Sequence, residues 1–250
     1  MNEKKERKES DMRDPKQALK EHYDKIAQYY PESKILGIFL YGSQNYNIAT
    51  EKSDVDSIAI IVPDMDDLIF KTPVSKEYHF ENGEHCVVKD IREIVKMWKK
   101  QNINFLEILF TDYFYIHEFY VPYWDKFLDI RDKIVYYDVT KTFNSISGQA
   151  KHTYLRNPDD NKVKANALRM YYFLRAYLSG LPYKYCLTDS WNLILDVKEG
   201  RLDLTDKGED FLSKFDKLKE NIKVESMPEV GRDLDSYLYE IICEPILNDW

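Results

Sequence analysis

Apolar positions recur along this chain at two spacings, and the change from one to the other divides it. Ala18, Leu19, His22, Ile26 and Tyr29-Tyr30 repeat at helical spacing behind Pro15, which suits the first turn of a helix, and Pro31 closes that run. Ile35 to Tyr41 and Val55 to Val62 are short, nearly unbroken apolar runs that read as buried strands, the second ended by Pro63-Asp64. Tyr78-His79-Phe80 and His85-Cys86-Val87-Val88 flank Glu81-Asn82-Gly83-Glu84. Asn-Gly there predicts a tight hairpin turn, because both residues tolerate positive φ. After Asp90 the period lengthens: Ile91, Ile94, Val95 and Trp98 mark one helix, and Phe105, Leu106 and Leu109 begin another. From Tyr123 onward no segment reads as a strand. Residues 143–155, 163–178, 190–197, 206–218 and 234–247 all carry the helical pattern, with breaks at Asn157-Pro158-Asp159-Asp160 and Gly180-Leu181-Pro182. The predicted fold class is α+β: a charged tail over 1–13, a sheet-containing domain over 14–115 and a helical domain over 116–250.

Composition narrows the function classes. The net charge of −8 argues against a surface that coats nucleic acid, although a local basic groove stays compatible with it. The N-terminal run from Asn2 to Glu9 interleaves glutamate with lysine and arginine, which reads as a solvated tail rather than a basic arm. Cys86, Cys186 and Cys243 are far apart and odd in number, so neither a disulfide framework nor zinc-type spacing is expected, and a reducing cytoplasm is the default setting. The start of the chain lacks an apolar signal core, and no stretch approaches the roughly 20 apolar residues of a membrane span.

The chemistry concentrates in Leu40-Tyr41-Gly42-Ser43-Gln44-Asn45-Tyr46 and, about ten residues on, Ser53-Asp54-Val55-Asp56-Ser57. Residues i and i+2 of a strand point to one side, so Asp54 and Asp56 can present two carboxylates to one point. Like charges so placed repel unless a cation lies between them, and magnesium is commonly held by one or two carboxylates plus substrate phosphates. The Gly42-Ser43 turn offers a hydroxyl and backbone N–H groups to an anion, with no Cβ at Gly42 to obstruct it. Taken singly, Gly42-Ser43 is also an ordinary turn and the aspartates an ordinary polar loop. Their order and spacing, leading straight into a buried strand, point instead to a magnesium-nucleotide site.

An apolar strand, Gly-Ser, about ten residues and then Asp-x-Asp entering a strand resembles the signature of the DNA polymerase beta-like nucleotidyltransferase superfamily. Gly42-Ser43-Gln44-Asn45-Tyr46-Asn47 is similar to the G-S-x-A-Y-G element of a phage and bacterial branch that includes RNA-ligase-associated members. Val88-Lys89-Asp90-Ile91-Arg92 resembles that branch's strand-to-helix element, Gln101 to Leu109 its N-P-x-x-L-E stretch, and Lys164-Ala165-Asn166-Ala167-Leu168-Arg169 its Lys-x4-Arg helix. The sequence departs from the pattern at Asn45, Asn47, Glu93 and Ile103; asparagine at 47 still tolerates left-handed geometry.

The resemblance implies a mixed sheet flanked by helices and transfer of a nucleoside monophosphate from a nucleoside triphosphate to an acceptor hydroxyl. The implied cofactor is Mg2+, with Mn2+ as a substitute. Asp54, Asp56 and Asp90 are the implied catalytic and metal-binding carboxylates, and Gly42, Ser43, Lys164 and Arg169 the nucleotide-binding residues. Each later member has a structural rival. Asp90-Ile91-Arg92-Glu93 is also a capping-box pattern, which would leave Glu84 as the alternative third ligand. Lys164 and Arg169 also suit a solvated helix face, and Glu107 is expected at the surface. An RNA end, a protein hydroxyl and a small molecule all remain open as acceptors, and a nucleotide-sensing or protein-binding module without turnover is the rival function.

Overall fold

The computed structural model describes residues 13–51, 53–203 and 208–248. The predicted charged tail, except for Arg13, lies outside the described residues. In chain order the elements are α1 (Pro15–Ile26), β1 (Ile35–Tyr41), β2 (Asp56–Ile61), α2 (Met65–Phe70), β3 (Ser75–His79), β4 (His85–Asp90), α3 (Ile91–Lys99), α4 (Ile103–Leu106), β5 (Phe114–Ile116), α5 (Val121–Asp129) and α6 (Arg131–Ile134). The helices α7 (Val139–Arg156), α8 (Asn161–Leu178), α9 (Tyr183–Thr188), α10 (Trp191–Lys198), α11 (Gly208–Leu218) and α12 (Val230–Asn248) complete the chain. None of the described helices is long and apolar enough to cross a membrane.

The five strands form one mixed sheet in the order β3-β4-β2-β1-β5. β1 and β2 are antiparallel, β2 and β4 parallel, and the remaining pairs antiparallel. The parallel pair needs a crossover, which α2 and β3 supply. The Asn-Gly hairpin closes over five residues: the Phe80 N–H donates to the Glu84 carbonyl at 2.9 Å, with Gly83 at φ +85°. β5 escaped the sequence pattern because three residues are too few to show alternation. It reaches β1 at Gly37, where a Cβ would stand 2.6 Å from the Tyr115 carbonyl oxygen, so glycine is what permits the approach.

Strand alternation gives the sheet two distinct faces. On the back, Ile38, Leu40, Ala59, Ile61, Cys86 and Val88 pack against Ala18, Leu19, Tyr23 and Ile26 of α1. That helix starts where the Asp14 side chain accepts the Lys16 N–H at 3.0 Å and Pro15 takes the first position. On the front, Phe39, Ile58 and Ile60 pack against Ile91, Ile94, Val95 and Trp98 of α3, in an apolar cluster that continues through α7 and α8 to Ile242 of α12. The later helices thus share one core with the front face. Each full burial of such a side chain is worth about 1.5–3 kcal/mol, so this shared core locks α8 at a fixed position over the strand ends.

Candidate functional site

β1 ends where β2 begins. Tyr41 pairs with Asp56, and the chain leaves the sheet at Gly42, whose φ of +91° lies in the left-handed region. Successive turns follow: the Asn45 N–H donates to the Gly42 carbonyl (3.0 Å) and the Ile48 N–H to the Ser43 carbonyl (3.2 Å), with Asn47 left-handed at φ +58°. Val55 is buried in the back-face cluster, so Asp54 and Asp56 on either side of it turn to the front. A Cβ on Gly42 would lie 3.7 Å from Asp56 Oδ2. The turn and the carboxylates therefore meet at one end of the sheet.

They open onto a cavity of about 640 Å³, a volume suited to one nucleotide-sized ligand. Tyr41, Gly42, Ser43, Tyr46, Asp54 and Asp56 line it from the sheet end, and Lys162, Asn166, Arg169 and Lys198 from the helices. Residues 162, 166 and 169 repeat on one face of α8. Carboxylates enter from one structural layer and cations from the other.

Arg169 is buried, with its guanidinium 3.9 Å from the centre of the Tyr46 ring. Its Nε and Nη2 donate to Asn166 Oδ1 at 3.3 and 3.0 Å, while Nη1 is buried without a partner. Glu107 is wholly buried; its Oε1 accepts the Gly42 N–H at 2.5 Å and its Oε2 has no partner. Burial pushes the Glu107 carboxyl up to about 8, against the opposing pull of the Gly42 N–H and Arg169. Burial likewise lowers Arg169, and Glu107 counters it.

At the sheet end, His85 Nδ1 lies 2.7 Å from Asp56 Oδ1, an ion-pair distance, although no donor hydrogen is aligned on that oxygen. His85 Nε2 and the Tyr41 hydroxyl are 2.7 Å apart. The contact with Asp56 holds His85 above its ordinary value despite partial burial. Lys198 donates from Nζ to the Ile48 carbonyl (2.7 Å) and to Ser53 Oγ (3.3 Å), tying α10 to the loop that delivers Asp54.

No family model and no curated protein matches the chain. Among solved structures, the nucleotidyltransferase-like protein from Exiguobacterium sibiricum 255-15 is similar at a TM-score of 0.32 and 15% identity, over 92% of this chain and 80% of that one. A likeness at that TM-score carries no argument about activity; the geometry of the cavity has to supply one.

Of the predicted residues, Gly42, Ser43, Asp54, Asp56 and Arg169 come together around the cavity. Three others do not. Asp90 pairs in register with Ile61, whereas Asp56 pairs with His85, so Asp90 lies five positions up a parallel strand, roughly 17 Å away. It caps α3 instead, accepting the Arg92 N–H at 2.8 Å and pairing with the Arg92 guanidinium at 2.6 Å. Glu84 shares the parity of Cys86 and Val88 and faces the back, where Arg13, His22 and Asn82 donate to it. Lys164 is buried beside Asp203, 3.0 Å from its carboxylate. Five residues separate it from Arg169, about 140° around the helix, so the two cannot share a face.

Whether magnesium suits this place depends on the donor set. Asp54 and Asp56 supply two carboxylates, and Asp56 Oδ1 is buried without an aligned donor. Among the described residues no group of three His, Cys, Asp or Glu side chains is placed to hold a metal alone. The residues fit a cation whose remaining positions are filled by substrate phosphate and water.

The sequence reading missed Tyr41, His85, Lys162, Asn166 and Lys198, and placed Glu107 at the surface. Only Glu107 carried a signal: a lone acid inside the apolar run from Ile103 to Phe110.

Proposed function

We propose that this chain transfers a nucleoside monophosphate from a nucleoside triphosphate to an acceptor hydroxyl, releasing pyrophosphate. One observation carries the reading: a nucleotide-sized cavity bounded by two carboxylates from the sheet and three cations from the helices. A magnesium triphosphate has the complementary charge order. Asp54 and Asp56 are the residues to hold magnesium, which when bound supplies charge neutralisation on the phosphates. Arg169 and Lys162 take phosphate oxygens, and the orphaned Nη1 of Arg169 gains a partner by doing so. Gly42 contributes space rather than a donor, since its N–H is already given to Glu107; Ser43 contributes its hydroxyl. The acceptor hydroxyl attacks the α-phosphorus, the bond to the β-phosphate breaks, and the hydroxyl proton passes to the Asp56 carboxylate. Catalysis is then positioning and electrostatics.

A second reading, nucleotide sensing without transfer, draws on one observation: the β4 residue facing Asp56 is His85, not a carboxylate. One experiment separates the two. Protein, magnesium and α-labelled triphosphate are mixed, and pyrophosphate release and self-labelling are followed. Transfer predicts both signals or release alone, abolished by Asp54→Asn and by Asp56→Asn; binding without release favours the sensor. Normal transfer by a folded Asp56→Asn protein rules the transfer mechanism out.

A further inference from the structure

We infer that Glu107 is a positioning residue for phosphate: through its hydrogen bond to Gly42 it holds the Gly42-Ser43 turn in place beside the cavity that Arg169 lines from α8. The inference rests on the nucleotide reading above and adds a residue to it. Glu107 opens the short 3-10 turn Glu107–Leu109, between α4 and β5, and is 0% exposed. Its Oε1 takes the N–H of Gly42, the residue at which β1 leaves the sheet toward Ser43. Anchoring that turn requires only an acceptor, which an amide would provide without a charge. Burial favours the neutral acid at Glu107, and the electrostatic pull of Arg169, itself buried against Tyr46, only partly opposes it.

Glu107 and Arg169 each keep a buried polar atom unused, Oε2 and Nη1, and the buried Tyr183 hydroxyl is unpartnered as well. Buried polar atoms are nearly always satisfied, so these orphans mark an arrangement set for a further partner. Glu107 thus acts as an acceptor: its hydrogen bond fixes the Gly42-Ser43 turn against Asp56.

That role supplies the test. Glu107→Gln keeps an acceptor for Gly42, so kcat and KM for the triphosphate should both stay within about threefold of wild type. Glu107→Ala removes the acceptor, frees the turn and should lower kcat about 100-fold. In the same samples the Gly42 amide is followed by NMR without nucleotide. It should be downfield and slow to exchange in wild type and Glu107→Gln, and shifted and fast in Glu107→Ala. Where the alanine protein fails to fold, Glu107→Asp, too short to reach Gly42, should show the same kcat loss. A folded Glu107→Ala protein with wild-type kcat and an unmoved Gly42 amide overturns the inference. Equal losses in the glutamine and alanine variants also overturn it, since they mark mere structural support. Wild-type protein that neither binds nor turns over triphosphate defeats the nucleotide reading instead, because the amide measurement does not depend on it.

Discussion

The two faces of one sheet carry two buried polar clusters, and they differ in how completely they are satisfied. On the back, Glu84 accepts from Arg13 (3.1 Å), His22 (3.1 Å) and Asn82 (2.6 Å), and His22 Nδ1 meets Ser57 Oγ at 2.8 Å. Neutral His22, donating from Nε2 and accepting at Nδ1, satisfies the whole chain of contacts. Ser57, His22 and Glu84 even stand in the order of a nucleophile, base and orienter, yet all three are buried and none lines the cavity. On the front, Glu107 and Arg169 each leave a buried polar atom without a partner, and Arg169 lines the cavity. Closed hydrogen-bonding marks a cluster that holds the fold, and unfinished hydrogen-bonding marks one that awaits a ligand. Titratable side chains alone do not tell the two apart.

That contrast can be broken by substitution. The largest effect is expected at Asp56: Asp56→Asn should cut turnover about 1000-fold or more and leave the melting temperature at or above wild type, as measured by pyrophosphate release beside thermal denaturation. Glu84→Gln should do the reverse, costing about 3 kcal/mol of stability in chemical denaturation while kcat holds. A Glu84 variant that melts normally and loses activity would merge the two clusters into one.

The pH dependence sharpens the same division. Burial raises the Glu84 carboxyl, but hydrogen bonds from Arg13, Asn82 and His22 overcome that and hold it below its ordinary 4.5. Its contribution to stability is therefore present above pH 4.5 and lost as pH falls through the folded value. His22, lowered mainly by burial from 6.5, is neutral in the fold and also loses stability on acidification, beginning below 6.5. The stability gap between wild type and Glu84→Gln should accordingly be widest near neutrality and close as the pH drops below 4.5, followed by melting from pH 7 to 4. The smallest effect is expected at Asp90: Asp90→Asn keeps the helix cap and should cost about 1 kcal/mol, the worth of the carboxylate's charge beside Arg92 and the helix N-terminus, with unchanged turnover. Lost turnover at unchanged melting would return Asp90 to the active site.

Much of this was legible in the sequence wherever a short-range rule applied. The apolar runs around Ile38 and Ile60, the helical stripe of α1 and the i, i+2 spacing of Asp54 and Asp56 depend on neighbours along the chain. Asp90 depended on something else. Its distance from Asp56 is set by β2 and β4 running parallel, and no local pattern declares strand direction. The same register made His85 the residue opposite Asp56. Capping box and metal ligand were both consistent with Asp90-Ile91-Arg92-Glu93, and the bonds of Asp90 to the N–H and guanidinium of Arg92, two residues on, fit the cap. Lys198 and Asn166 were invisible because helix packing over the strand ends brings them in from distant sequence. Glu107 misled for a different reason: acids are rarely buried unless partnered, and the N–H it accepts, at Gly42, lies far back along the chain.

The account stands on the front-face carboxylates binding a metal-bound triphosphate. Its most direct measurement is calorimetric titration of the protein with a non-hydrolysable triphosphate analogue, with and without magnesium, in wild type and Asp56→Asn. Binding that requires magnesium and disappears in the folded variant is the expected result. Binding that is equally strong without magnesium, or in Asp56→Asn, would contradict it.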